Sequence, residues 1–424
     1  MADASVTYIS ATDAPVSGSN VAPASAGATA GIAAVTLLGM SAMGISLPIL
    51  PQRLNGDLGY SLTVVGWIIG LESVATLVTR PWTGRLTDRH GGQFAAIIGL
   101  VAMVFCGAAY TASDFLMDRG AAGHQVAAGL IVLGRILMGI GEGLVISGTG
   151  LWAVDRAGPK RVGRAVSWVG LGLFAGLSVG STIGAWLDRG QPGGFFLACV
   201  VSTIVPLLSI GGALLIRPGA VVHRHDDAPV GPLLSLILLP GIGLFTNACG
   251  FAAITSFLAL DYQAHGWTGL PLGSPGTGIA GFGAGHVVAR ILFSELSDHA
   301  RSRWPAVSCL LVEALGLGVI WLAPTPLISL GGAVITGFGF SMGYPLLSLP
   351  VLSAVPPDRR GMALGLFDAF FDTGAGIAAL CSGTVAHYLS LPRVFLIAAL
   401  ASLAGIIPLL VIPAARWRRE ASED

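Results

Sequence analysis

Charge is what this sequence has least of. Only 10% of its 424 residues are Asp, Glu, Lys or Arg, against 54% apolar, and the mean hydropathy is +0.79. A soluble core of that length has no use for so much apolar side chain. The 22 basic and 22 acidic residues cancel, so nothing points to a nucleic-acid partner. The five cysteines, Cys106, Cys199, Cys249, Cys309 and Cys381, all fall inside apolar runs without metal-ligand spacing. Neither a disulfide framework nor a zinc site is implied. A catalytic triad, a metal cluster and a nucleotide-binding Gly-Lys motif are also missing, which disfavours a membrane enzyme and leaves no cofactor to expect. Residues 1–29 contain no Lys or Arg and so lack the basic start of a signal peptide; their Ala, Ser and Thr content predicts a disordered tail.

What the chain has instead is a series of long apolar windows, each near the roughly 20 residues that carry a helix across a bilayer core of about 30 Å. There are twelve: 28–50, 62–83, 94–112, 125–152, 165–187, 195–216, 233–259, 271–293, 305–322, 327–347, 362–385 and 394–412. Helix is the default, because unpaired backbone in hydrocarbon is too costly and barrel strands would alternate apolar with polar. The fold class is therefore an all-α membrane protein of twelve transmembrane helices. Prolines 51, 218, 324, 326, 392 and 413 mostly mark helix ends. With the N-terminus inside, seventeen Lys and Arg residues fall on the inner side and four, Arg53, Arg119, Arg189 and Arg393, on the outer. That bias predicts both termini in the cytoplasm.

The chain repeats itself. Arg80, Leu86 and Asp88, after the second span, return as Arg290, Leu296 and Asp298 after the eighth, at an offset of 210. Gly139, Gly141, Pro159, Arg161, Gly163, Ala165 and Gly176 return as Gly337, Gly339, Pro357, Arg359, Gly361, Ala363 and Gly374, at an offset of 198. The change of offset fits one shortened outer loop: residues 112–124 are answered by 323–326. The sequence thus divides into a tail (1–29), a six-helix bundle (30–216), a cytoplasmic linker (217–231), a second six-helix bundle (232–415) and a short tail (416–424).

The run from Arg80 to Gln93, RPWTGRLTDRHGGQ, resembles the signature of major facilitator transporters between their second and third helices. Leu133-Gly134-Arg135 with Gly139 and Gly141 resembles the fourth-helix motif of that family, which carries an intramembrane arginine. Gly176, Gly180 and Gly184 keep the spacing of the family's fifth-helix antiporter motif, although Ser181 and Ala185 replace its proline and last glycine. Across nearly the whole chain the wording is similar to the bacterial YhhS-like branch of drug-exporter-type facilitators. The resemblance implies the major facilitator fold and a monomeric secondary transporter of a bacterial inner membrane. Its partners would be a small-molecule substrate, protons and the lipid bilayer.

The residues carry their own physics beside that resemblance. Gly172, Gly176, Gly180 and Gly184 recur every four positions, a shallow helix stripe that suits either a sliding seam or static packing. In the signature, Asp88 is expected at the start of the third helix, where the dipole favours an anion, with Arg80 or Arg89 as partner. The gating set is then Arg80, Gly84, Arg85, Asp88 and Arg89, with Arg290 and Asp298 in the second half.

Six ionisable residues lie deep in the spans: Glu72, Arg135, Glu142, Glu313, Asp368 and Asp372. Each is too costly to face lipid and should face a cavity or a partner. Arg135 and Glu142 are seven apart on one face of the fourth span, two walls of one polar cavity in which the arginine orients an anion or holds Glu142 charged. Asn247, Phe338 and Phe340 are further candidates for its lining. Asp368 and Asp372 are four apart on the eleventh span, where two anions repel, which suits proton coupling. Glu313 is expected in an internal pair with His286 or Arg290. His286, the one intramembrane histidine, reads as a packing residue. The leading function is an alternating-access carrier that exports a small molecule by proton antiport. Import by symport is the alternative; a membrane enzyme, a receptor and a channel are weaker.

Overall fold

Inside hydrocarbon a chain must pair its backbone N–H and C=O groups within its own segments, and this chain does so with helices. The computed structural model describes residues 26–121, 123–157, 162–188, 192–219, 231–267, 275–293, 302–355 and 360–417, and among them there is no strand. In chain order the helices are α1 (Ala26–Gln52), α2 (Leu62–His90), α3 (Gly92–Asp118), α4 (His124–Ala157), α5 (Val162–Asp188) and α6 (Gly194–Leu215). They continue with α7 (Gly231–Ala264), α8 (Pro275–Leu292), α9 (Trp304–Trp321), α10 (Pro326–Ala354), α11 (Arg360–Tyr388) and α12 (Leu391–Val411). Eleven are long and apolar enough to cross a membrane. The other, α8, matches α9 in its 18 residues but is diluted by five glycines, His286 and Arg290. α10 is interrupted at Met342 and α12 at Gly405. The all-helical class and the order of the expected spans hold. Of the tail expected over 1–29, only the start of α1 from Ala26 is described; residues 220–230 of the linker, Lys160, Arg161, Arg224, Asp298, Arg301 and Arg359 also lie outside the described residues.

Local sequence sets the helix ends. The Ser61 hydroxyl accepts from Val64 N at the start of α2, and Thr325 does the same for Ile328 N at the start of α10, followed by Pro326 at the first helical position. Large apolar side chains such as Val78, Leu215, Ile291, Leu322 and Ile407 point outward and exposed, as lipid contact demands.

The signature segment is not a loop. α2 runs unbroken through Arg80, Gly84, Arg85, Asp88 and Arg89 to His90, and only Gly91, at φ +87°, separates it from α3. A left-handed backbone needs glycine, and Gly91 supplies it. Asp88 therefore lies in the last turn of α2, at the negative end of its dipole, and the expectation of an anion at the start of α3 is overturned.

Among α1–α6 the main contacts are α1 with α5 and α6, α3 with α4 and α6, and α2 with α4. Among α7–α12 they are α9 with α10 and α12, α8 with α10, and α7 with α11 and α12. Two long seams join the sets, α2 against α11 and α5 against α8, with α1 touching α7 between them. This is what the internal repeat predicts, since a shift of six helices turns α2 into α8 and α5 into α11. The register agrees residue by residue. Gly66 of α2 lies against Ala379 and Gly383 of α11, as Gly276 of α8 lies against Ser181 and Ala185 of α5. Ser73 meets Gly376, and its counterpart Gly283 meets Ser178.

The glycine stripe of α5 belongs to neither seam. Gly172, Gly176, Gly180 and Gly184 sit against the carbonyls of Ala33, Leu37, Ser41 and Ile45, one turn of α1 after another. Of its two readings, static packing is the one observed. The face that α5 turns to α8 carries Gly170, Phe174, Ser178 and Ser181 instead.

Candidate functional site

Asp368 and Asp372 are one turn apart, so both carboxylates leave the same face of α11. Across the seam that face meets Arg80 of α2. The Arg80 guanidinium donates from Nη1 to Asp368 Oδ2 at 3.2 Å and from Nε to Asp372 Oδ2. Tyr344 of α10 donates its hydroxyl to the second oxygen of Asp368 at 2.6 Å. One planar cation thus bridges two acids, with Nη1 and Nε donating along the fixed directions of the guanidinium fork. The expected pairing of Arg80 with Asp88 is overturned for a simple reason. Eight residues along one continuous helix separate them by roughly 12 Å.

The same spacing argument corrects Arg135. It forms an ion pair with Glu72 of α2, not with Glu142 two turns along its own helix, and its Nη2 also donates to Ile69 O at 2.8 Å. Both partners are buried. Among the described residues no arginine forms an ion pair with Glu142. The Thr76 hydroxyl lies 3.4 Å from Glu142 Oε2 and 2.9 Å from Gly139 O, and its single proton can serve only one of them at a time.

These groups converge on one cavity. Glu72, Arg135 and Glu142 from the first half and Asp372 from the second line a space of about 30 Å³, room for roughly one or two waters. Phe251 and Phe371 form another part of its wall. Behind them Phe340 stacks on Phe251 at 5.5 Å and Phe371 lies 5.8 Å from the same ring. Arg135 and Glu142, expected as two walls of one polar cavity, both line this space, with Glu72 and Asp372 beside them.

Other candidates go elsewhere. Asn247 donates to Glu313 Oε2 at 2.7 Å, which removes both from the cavity and overturns the pairing of Glu313 with His286 or Arg290. Those two residues belong to α8, on the side of the seam with α5, while Glu313 of α9 faces α7. Phe338 packs edge-on to Phe293, away from Phe251. Arg85, Asp88 and Arg89 are exposed at the far end of α2 and do not reach the cavity. Two participants were missed in sequence. Thr76 follows Glu72 by one turn and could have been found by that spacing; Tyr344 carries no local signal.

The comparisons with known proteins agree on one group. The sequence profile of the Major Facilitator Superfamily matches residues 32–270 and again 240–424. An uncharacterized MFS-type transporter of Burkholderia mallei is 34% identical over 370 residues, 86% of each chain. Another, from Salmonella typhimurium, is 31% identical over 377 residues, 88% of this chain and 93% of the relative. Among solved structures, a D-xylose-proton symporter superposes with a TM-score of 0.73 at 14% identity, covering 92% of this chain and 98% of that one. The human organic anion transporter MFSD10 superposes with a TM-score of 0.67 at 15% identity, covering 90% and 98%.

Proposed function

Because this chain belongs to the major facilitator superfamily, a family of membrane transporters, we propose that it moves a small molecule by proton-coupled alternating access, in the direction of export. The observation that carries this reading is the bridge from Arg80 to Asp368 and Asp372 across the α2 and α11 seam, at the edge of the cavity. A proton and Arg80 compete for the same carboxylate oxygens. With the guanidinium seated, its one positive charge is shared by the two acids and the seam is tied shut. When the seam opens, the acids lose their counter-ion, and binding a proton spares them a buried charge. Protonation in turn removes the attraction that would close the seam again.

In this reading the two six-helix bundles rock about the cavity, and the termini and the Arg80 end of α2 face the cytoplasm. Export is favoured by the similarity of the fifth span to the antiporter motif and of the chain to drug-exporter-type facilitators. The test is reconstitution in proteoliposomes carrying a pH-sensitive dye, with a compound panel chosen from a deletion and overexpression screen. Substrate-dependent proton movement opposite to the substrate supports antiport. Movement in the same direction replaces it with symport, and solute flux with no proton movement removes the coupling.

A further inference from the structure

The second seam repeats the first with one change. At the repeat offsets Arg290 of α8 stands for Arg80, and Gly170 and Phe174 of α5 stand where α11 has Asp368 and Asp372. The structure keeps that correspondence. A Cβ built on Gly170 would lie 3.0 Å from Arg290 Nη2, and Phe174 meets the residue one turn before Arg290. The arginine has been retained and its acids have not. Among the described residues no carboxylate forms an ion pair with Arg290, and its Nε has no hydrogen-bond partner. His286, four residues earlier on the same face, is 1% exposed and has no partner at either ring nitrogen. Its ring lies flat on Phe174 at 3.7 Å, so the polar edge is left to bond within the seam.

A partly buried cation beside an unpartnered imidazole, lying where the side chain of residue 170 would begin, is a site short of an anion. We propose that the α5 and α8 seam binds an oxyanion, the carboxylate or phosphate of a small organic acid or of a lipid headgroup. Arg290 supplies the charge and His286 a second donor, in the place that two aspartates fill in the other seam. Gly170, having no side chain, lets the guanidinium lie against the backbone of α5. The site is separate from the cavity at Glu142, and it rests on the transport reading only for the use made of binding.

The test measures binding without a gradient, on the purified full-length protein. Radiolabelled benzoate is the soluble probe, with neutral benzamide as its control; nanodiscs of phosphatidylglycerol and of phosphatidylcholine supply the lipid arm, read by Tm. Arg290→Gln removes the charge, and Gly170→Asp restores the missing carboxylate so that the protein occupies its own site. Only the end of the Arg290 side chain has to shift to admit the aspartate. The expected result is benzoate binding that weakens at least tenfold in both variants and is absent for benzamide. A Tm gain confined to phosphatidylglycerol and lost in both variants would also uphold the site, with lipid as its occupant. Binding unchanged in the folded Gly170→Asp protein, or no effect of benzoate or phosphatidylglycerol on the parent, overturns it. A protein that binds benzoate yet moves no solute keeps this site and sinks the transport reading instead.

Discussion

At the scale of single residues, a guanidinium shared by two acids makes their removal unequal. Asp372→Asn leaves Asp368 to balance Arg80, so the protein is expected to fold and to exchange substrate. Accumulation driven by a pH gradient is expected to fall at least tenfold in proteoliposomes. A full response to the gradient in that variant would pass the coupling role to Glu142. For Arg135→Lys, the ammonium keeps the charge but sits on a shorter stem that falls short of Nη2, the one nitrogen that touches both Glu72 and the Ile69 carbonyl. A buried acceptor is then stranded, at a cost of about 1–3 kcal/mol. A fall in Tm with slowed transport is the expected outcome, and wild-type behaviour would reduce the arginine to a replaceable charge. Each of these charges could be read from sequence, because an ionisable residue in an apolar span announces itself. Their pairing could not: Arg80 and Asp372 are 292 positions apart, and nothing local records which face of α2 meets α11. Where sequence supplied a pair, the unbroken course of α2 ruled out Arg80 with Asp88, and the bond from Asn247 took Glu313 away from His286 and Arg290.

Among the elements, α5 shows the same division between what a pattern gives and what it withholds. The four-residue glycine period is visible in sequence, and so is the closeness it implies. The partner is not. Because each glycine of the stripe rests on an α1 carbonyl, Gly180→Leu is expected to cost at least about 1–3 kcal/mol through overpacking, seen as a lower Tm and poorer yield. Gly129→Ala in α4 is the counter-case. Nothing lies within 4 Å of its added Cβ, and the gain in helix propensity should be up to about 1 kcal/mol. If both variants melt like the parent, the stripe does not hold α1 and α5 together. The end of α2 was misread because a charged, polar run looks like a loop, whereas no glycine within α2 adopts the positive φ that stops the helix at Gly91.

For the whole molecule, the repeat was the most informative signal in the sequence. Two offsets, 210 and 198, foretell which helices exchange places and which residues face one another in both seams. The count of basic residues makes a separate prediction about orientation. A fluorescent protein joined after Asp424 should be fluorescent, and alkaline phosphatase joined there should be inactive. The opposite pattern would invert the proposed cytoplasmic placement and, with it, the side from which Arg80 is reached.

The unbroken course of α2 has a mechanical consequence. Gly66 is seated on Gly383 near one end of the helix, and Arg80 is fourteen residues further on, roughly 21 Å along a rigid rod. Let that glycine contact act as a fulcrum. A swing of roughly 10° about it carries Arg80 through on the order of 4 Å, enough to break both of its ion pairs, while the backbones at the fulcrum barely part. Had the signature been a loop, bending would have absorbed the swing before it reached the turn that carries Asp88. A single helix makes α2 a lever, with its load at the acids of α11.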